Sequence, residues 1–159
     1  MQSQLTKPPV AKVEMLVRRP VPTVFAAFVD PAITTRFWFT RSTGRLEAGE
    51  TVEWTWEMYG HTILVKVEAI EPNRRIRIAW GPPGTETTVE WSFIPYEEDA
   101  TFVTIVNSGF AGDADELVQQ ALNSKGGFTW VLAGAKAWLE HGIELNLVAD
   151  AFPKGLREH

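Results

Sequence analysis

From residue 127 onward, Phe128, Val131, Ala135, Trp138 and Gly142 recur at spacings of three and four. That spacing puts them on one stripe of a long helix near the end of the chain. Lys136, Glu140 and Glu144 stand at intervals of four on the opposite side, which reads as a solvated face. A long helix with one apolar stripe must bury it against something large. The β-rich stretch before it is the only candidate, so the chain is expected to be α+β, with a helix laid on a sheet.

That stretch is read from its alternation. Val52, Trp54, Trp56 and Met58 alternate with Glu53, Thr55 and Glu57, which puts the tryptophans on one face and the acids on the other. Tyr59-Gly60 predicts a tight turn into a strand from His61 to Ile70, and Glu71-Pro72-Asn73 predicts the next turn. Ile76, Ile78 and Trp80, then Val89, Trp91 and Phe93, continue the inward rows, and residues 101–109 close the meander. Successive short strands joined by turns favour antiparallel pairing. Before them, residues 10–17 alternate as a first strand. Pro22 suits the first turn of a helix over residues 23–29, and Asp30-Pro31 can cap a second short helix. A helix from Asp113 towards Asn123 is interrupted or bent by Ser124-Lys125-Gly126-Gly127, which could act as a hinge, since each glycine costs a helix about 1 kcal/mol relative to alanine. The expectation is one domain over residues 1–159. Its core covers about residues 10–147, with flexible ends at 1–9 and 150–159.

Charge and composition remove several function classes. A net charge of −5 and the lack of a basic stripe argue against nucleic acid. Arg74, Arg75 and Arg77 are balanced by Glu68, Glu71 and Glu90, a pattern read as a solvated strand edge. The absence of cysteine excludes disulfides, thiolate metal sites and cysteine nucleophiles, and fits a reducing compartment. No apolar run has signal-peptide or membrane-spanning length, so a soluble, cytoplasmic protein is expected. Gly81-Pro82-Pro83-Gly84 lacks the lysine and the glycine spacing of a phosphate loop.

Three stretches carry a family resemblance. They are residues 20–31 (PVPTVFAAFVDP) leading to Arg36-Phe37-Trp38, Asn107-Ser108-Gly109-Phe110 after the last strand, and Gly127-Phe128 followed by Trp138-Leu139-Glu140-His141-Gly142. In order and spacing they resemble the START-like (SRPBCC) superfamily, and within it the homologues of the heat-shock protein 90 ATPase activator. The resemblance implies a helix-grip fold: a curved antiparallel sheet of about six strands wrapped around a long C-terminal helix, with two short helices after the first strand. It also implies a hydrophobic cavity between sheet and helix, in a superfamily whose members bind lipids, sterols, hormones and polyketides. Asn107 stands where the family often has His, and Phe128 where it often has Trp, so a less basic pocket is expected. The eukaryotic chaperone activators carry a further N-terminal domain that is not seen here.

The resemblance and the inward rows together select the ligand-binding candidates. These are Trp38, Trp54, Trp56, His61, Ile78, Trp80, Trp91, Phe93 and Asn107, joined by Phe128, Val131, Ala135 and Trp138 on the helix. Any one buried tryptophan is most often plain core; several facing small helix residues suit a flat apolar ligand. Trp130 lies off the stripe by helical angle and is left out. His61 shares the parity of Ile63 and Val65, although a half-exposed histidine at a turn is the commoner outcome. Glu53, Glu57 and His61 do not make a metal trio, because the acids lie on the face away from Trp54 and Trp56. No Gly-x-Ser-x-Gly elbow is present, and no histidine is placed to activate Ser108. No catalytic residue, metal or cofactor is therefore assigned. The leading expectation is binding of an apolar or aromatic small molecule. The alternatives are a cyclase- or dehydratase-type enzyme, or a stress-response protein with a chaperone or other protein partner. A homodimer is left open.

Overall fold

The alternating segments become strands of one antiparallel sheet. A computed structural model describes residues 5–153; His159 and the outermost parts of the two ends expected to be flexible, 1–4 and 154–159, lie outside them. Strand β1 (Ala11–Val17) is followed by helices α1 (Val21–Val29) and α2 (Pro31–Thr34), and then by β2 (Arg41–Ser42), β3 (Thr51–Trp56), β4 (His61–Glu71), β5 (Arg75–Trp80), β6 (Thr87–Tyr96) and β7 (Ala100–Ser108). Helix α3 (Ala114–His141) and a single turn, α4 (Leu147–Asp150), complete the chain. The strand order is β1-β7-β6-β5-β4-β3-β2, so the meander runs from β2 to β7 and β1 pairs with its far edge. A register shift between Val67 and Ala69 adds local twist to the curved sheet. The two-residue β2 is too short to show a period in the sequence.

Burial follows the alternation. Val52, Trp54 and Trp56 of β3, Ile76 and Ile78 of β5, Val89, Trp91 and Phe93 of β6, and Val103 and Ile105 of β7 all face inward. Onto them pack Phe25 and Phe28 of α1, Phe37 to Phe39, and Phe128, Val131, Leu132 and Ala135 of α3. Pro22 lies in the first turn of α1, and the Asp30 carboxylate accepts a hydrogen bond from the Ala32 N–H at 3.0 Å, capping α2.

Several sequence expectations need correction. Met58 is not a strand residue, because the chain leaves β3 through a turn of 3-10 helix over Glu57–Tyr59. Gly142 is not part of the apolar stripe; it caps the end of α3 with φ +66, a conformation that glycine adopts without a Cβ clash. The arginines do not lie on a sheet edge. β5 is flanked by β4 and β6, and Arg75 and Arg77 pair across strands with Glu68, Glu71 and Glu90.

Lys136 and Glu140 are also not a merely solvated pair. The Glu140 side chain is 10% exposed, 2.7 Å from Lys136 Nζ, and accepts the Arg18 N–H at 2.8 Å, while Lys136 Nζ donates to the Leu16 carbonyl. These contacts fasten α3 to the end of β1. Burial pushes the Glu140 carboxyl up, but Lys136 and the Arg18 N–H outweigh it and hold the group below its ordinary range. A lowered acid pKa stabilises the fold above the unfolded value, and that contribution is lost as pH falls through the folded one.

Residues 124–127 do not break the helix either. α3 is continuous over 28 residues, starting from a reciprocal capping box between Asp113 and Glu116. A Cβ added at Gly126 meets no atom within 4 Å. Gly126→Ala is therefore expected to stabilise the protein by about 1 kcal/mol through helix propensity, raising Tm by roughly 2–4 °C. A calorimetric melt checks this, and a lowered Tm would mean that the glycine's freedom is needed in the native helix.

Candidate functional site

Where α3 runs past the end of the sheet, a hollow of ≈ 240 Å³ remains unfilled. Trp80 of β5 and Asn107 of β7 form its sheet side, and Ser124, Gly127, Phe128, Trp130 and Val131 of α3 form its helix side. Trp38 and Tyr59 close it from the segments around β2 and β3, and Val148 and Phe152 close it from the chain after α3. This last segment is held in place: the Tyr59 hydroxyl donates to the Val148 carbonyl, and the Phe152 ring packs 5.8 Å from Trp130 and 6.3 Å from Tyr59. A second hollow of ≈ 480 Å³, lined by Trp56, His61 and Ile63, shares Tyr59, Trp80 and Val148 with the first.

The walls of the first hollow are mostly aromatic. Trp38 stands edge-on to Phe128 at 5.6 Å and to Trp80 at 5.9 Å, and the Trp80 and Phe128 rings lie 5.7 Å apart. Among the described residues, no charged side chain lines it. Its polar groups are linked into a chain. The Asn107 amide nitrogen donates to the Thr88 carbonyl at 2.8 Å and to Thr87 Oγ1 at 3.0 Å, and Trp80 Nε1 donates to the same hydroxyl at 3.1 Å. On its other side, Asn107 Oδ1 accepts from Ser124 Oγ at 2.8 Å. Asn107 is 3% exposed, so these bonds take the place of the water it has lost.

The candidates drawn from the sequence are distributed over several places. Trp38, Trp80, Asn107, Phe128 and Val131 stand in the wall of the first hollow. Trp56 and His61 stand in the second, with their rings 6.0 Å apart. Trp54, Ile78, Trp91, Phe93 and Ala135 are core residues. The indole N–H of Trp91 has no hydrogen-bond partner among the described residues. Trp138 is partly buried and lies beneath the Arg36 guanidinium at 5.0 Å.

Tyr59, Ser124, Gly127, Trp130, Val148 and Phe152 were not selected from the sequence. Ser124 and Gly127 continue the three-and-four spacing of Phe128 and Val131 upstream, a signal hidden by reading the glycines as a break. Trp130 lies off the apolar stripe by helical angle, yet it lines the hollow, where the Phe152 ring packs against it at 5.8 Å. Among the described residues, no three histidine or carboxylate side chains are grouped to hold a metal ion, and no helix is long and apolar enough to cross a membrane.

Residues 18–135 match the family described as Activator of Hsp90 ATPase homolog 1-like protein. The chain belongs to this family. Its architecture is the START-like helix-grip fold of that family, with β1, two short helices, the meander and the gripping helix in the expected order. The protein SSP2350 of Staphylococcus saprophyticus is similar at 32% identity, with a TM-score of 0.74 over 86% of this chain and 96% of that one. The Aha1 dimer of Colwellia psychrerythraea shares the fold at 16% identity, with a TM-score of 0.70 over 84% of this chain and 98% of that one. CalU16 of Micromonospora echinospora does so at 16% identity, with a TM-score of 0.66 over 93% of each chain. A search of the curated proteins found no match.

Proposed function

We propose that this family member binds a flat apolar or aromatic small molecule between the sheet and α3. The observation that carries this reading is the aromatic hollow bounded by Trp38, Trp80, Phe128 and Val131. Its ≈ 240 Å³ lies below the roughly 300–1,000 Å³ of pockets that take drug-sized ligands, which suits a compact molecule of two or three rings. Burying such a ligand gains about 25 cal/mol per Å² of apolar surface removed from water, less the cost of association. Binding alone accounts for this arrangement. Asn107, the buried polar residue of the wall, has both amide hydrogens and an oxygen lone pair committed to the protein, so it holds the wall together and is not poised to react.

Gly127 provides a test that separates binding from folding. It lines the hollow, and a Cβ added there meets no atom within 4 Å. Gly127→Leu should therefore fill the cavity while raising helix propensity by about 1 kcal/mol. The neutral probe N-phenyl-1-naphthylamine, which fluoresces in apolar surroundings, is expected to bind the wild type saturably at one site per chain. The variant, at least as stable in a thermal melt, is expected to lose that signal. Absence of saturable binding by the wild type, or undiminished binding by a folded Gly127→Leu, would overturn the reading.

A further inference from the structure

We infer that the ligand is a neutral arene bearing a hydroxyl group, whose O–H donates to Ser124 Oγ; this rests on the cavity being a binding site. The hydrogen-bond directions at the polar end of the hollow lead there. The Asn107 side chain faces the Thr88 carbonyl at 2.8 Å, and a carbonyl only accepts, so the atom facing it is the amide nitrogen. The opposite atom is then Oδ1, which has no hydrogen to give. Ser124, 2.8 Å from it, is obliged to donate its single hydroxyl hydrogen to Asn107. What Ser124 has left is an oxygen that accepts. Trp80 nearby has likewise spent its only donor, giving its indole N–H to Thr87.

A ligand group beside Ser124 meets the lone pairs of its hydroxyl oxygen. A ligand carbonyl or ether would bring further lone pairs against the Ser124 oxygen, and a carboxylate would in addition bring a charge with no cation among the described residues of the wall to meet it. Trp38 and Trp130, which also line the hollow, are neutral and do not supply that cation. A hydroxyl instead extends the chain in one direction, from ligand O–H to Ser124, from Ser124 to Asn107, and from Asn107 to Thr88, with each bond polarising the next. The aromatic part then lies against Phe128, Trp80 and Trp38. Discrimination of this kind comes from leaving a polar group unpaired and not from shape, so a methyl ether of the same skeleton should be the poorer ligand.

The probes are 2-naphthol, 2-methoxynaphthalene and 2-naphthoate at neutral pH, each competing with N-phenyl-1-naphthylamine in the wild type and in Ser124→Ala. The wild type should bind the naphthol about three- to tenfold more tightly than the ether, the range one net hydrogen bond supports. The naphthoate should be the weakest of the three. In Ser124→Ala the naphthol should lose its advantage while the ether and the fluorescent probe still bind, which shows an intact cavity. If the wild type binds naphthol and ether equally, or if the preference survives in Ser124→Ala, the inference fails and the cavity reading stands. If the wild type binds none of the four compounds, the cavity reading itself fails. Should Ser124→Ala melt early, Ser124→Cys retains a weak donor and a poor acceptor in the same place and is expected to show the same loss of preference.

Discussion

Trp54→Ala should remove a large share of the stability of the protein, about 3–5 kcal/mol measured as a shift in denaturant midpoint. Trp54 is 1% exposed, stacks on Phe39 at 4.5 Å, and meets Trp38 at 4.8 Å and Trp80 at 6.1 Å. Removing the indole opens a void that these three large, rigid neighbours cannot close without leaving their rotamers, so little of the loss is recovered by relaxation. Domains of this size commonly have about 5–15 kcal/mol in all, so one substitution consumes much of it. A loss below about 1 kcal/mol would mean that the aromatic cluster is loosely packed. A Trp54 or Trp91 variant that stops binding reports a damaged core, whereas Gly127 and Ser124 change the cavity wall directly.

The second large effect is expected at Asn107. Asn107→Asp keeps the shape but puts a carboxylate oxygen where the amide nitrogen donated to the Thr88 carbonyl and to Thr87. Two donors are lost, and a charge is buried against a carbonyl at a position 3% exposed. The variant should lose about 3 kcal/mol or more at neutral pH. The pH dependence is specific. Burial beside acceptors raises the folded-state pKa of the new carboxyl above the unfolded value near 3.9, so the penalty is absent below that value and grows as pH rises towards the folded pKa. The protonated acid can also donate once to Thr88, restoring part of the wild-type pattern. Denaturant midpoints of variant and wild type should therefore converge as pH is lowered from 8 to 4. A gap that stays constant over that range would mean that the side chain at 107 is solvated, contrary to the hydrogen-bond chain described above.

The sequence by itself determined the architecture, because both periods that encode it are local. Trp54 and Trp56 lie two residues apart and Phe128 and Val131 three apart, so which face each presents follows from strand and helix geometry alone. The capping box at Asp113 and Glu116 and the turns at Tyr59-Gly60 and Glu71-Pro72-Asn73 are equally local, and they set where the elements begin and end. The motifs from Pro20 to Trp38 and from Asn107 to Gly142 were enough to point to the family. Within the inward rows, however, the sequence does not distinguish a core residue from one in a cavity wall. Trp54 and Trp80 have the same parity and chemistry, yet one is enclosed by rings and the other borders the hollow. That difference depends on where α3 parts from the sheet and on what covers the gap. It was decided by contacts between residues far apart in the chain: Tyr59 with Val148, 89 positions away, and Asn107 with Ser124, 17 away. Only the tertiary structure brings these groups together, because each hydrogen bond is worth making only once packing has removed both partners from water.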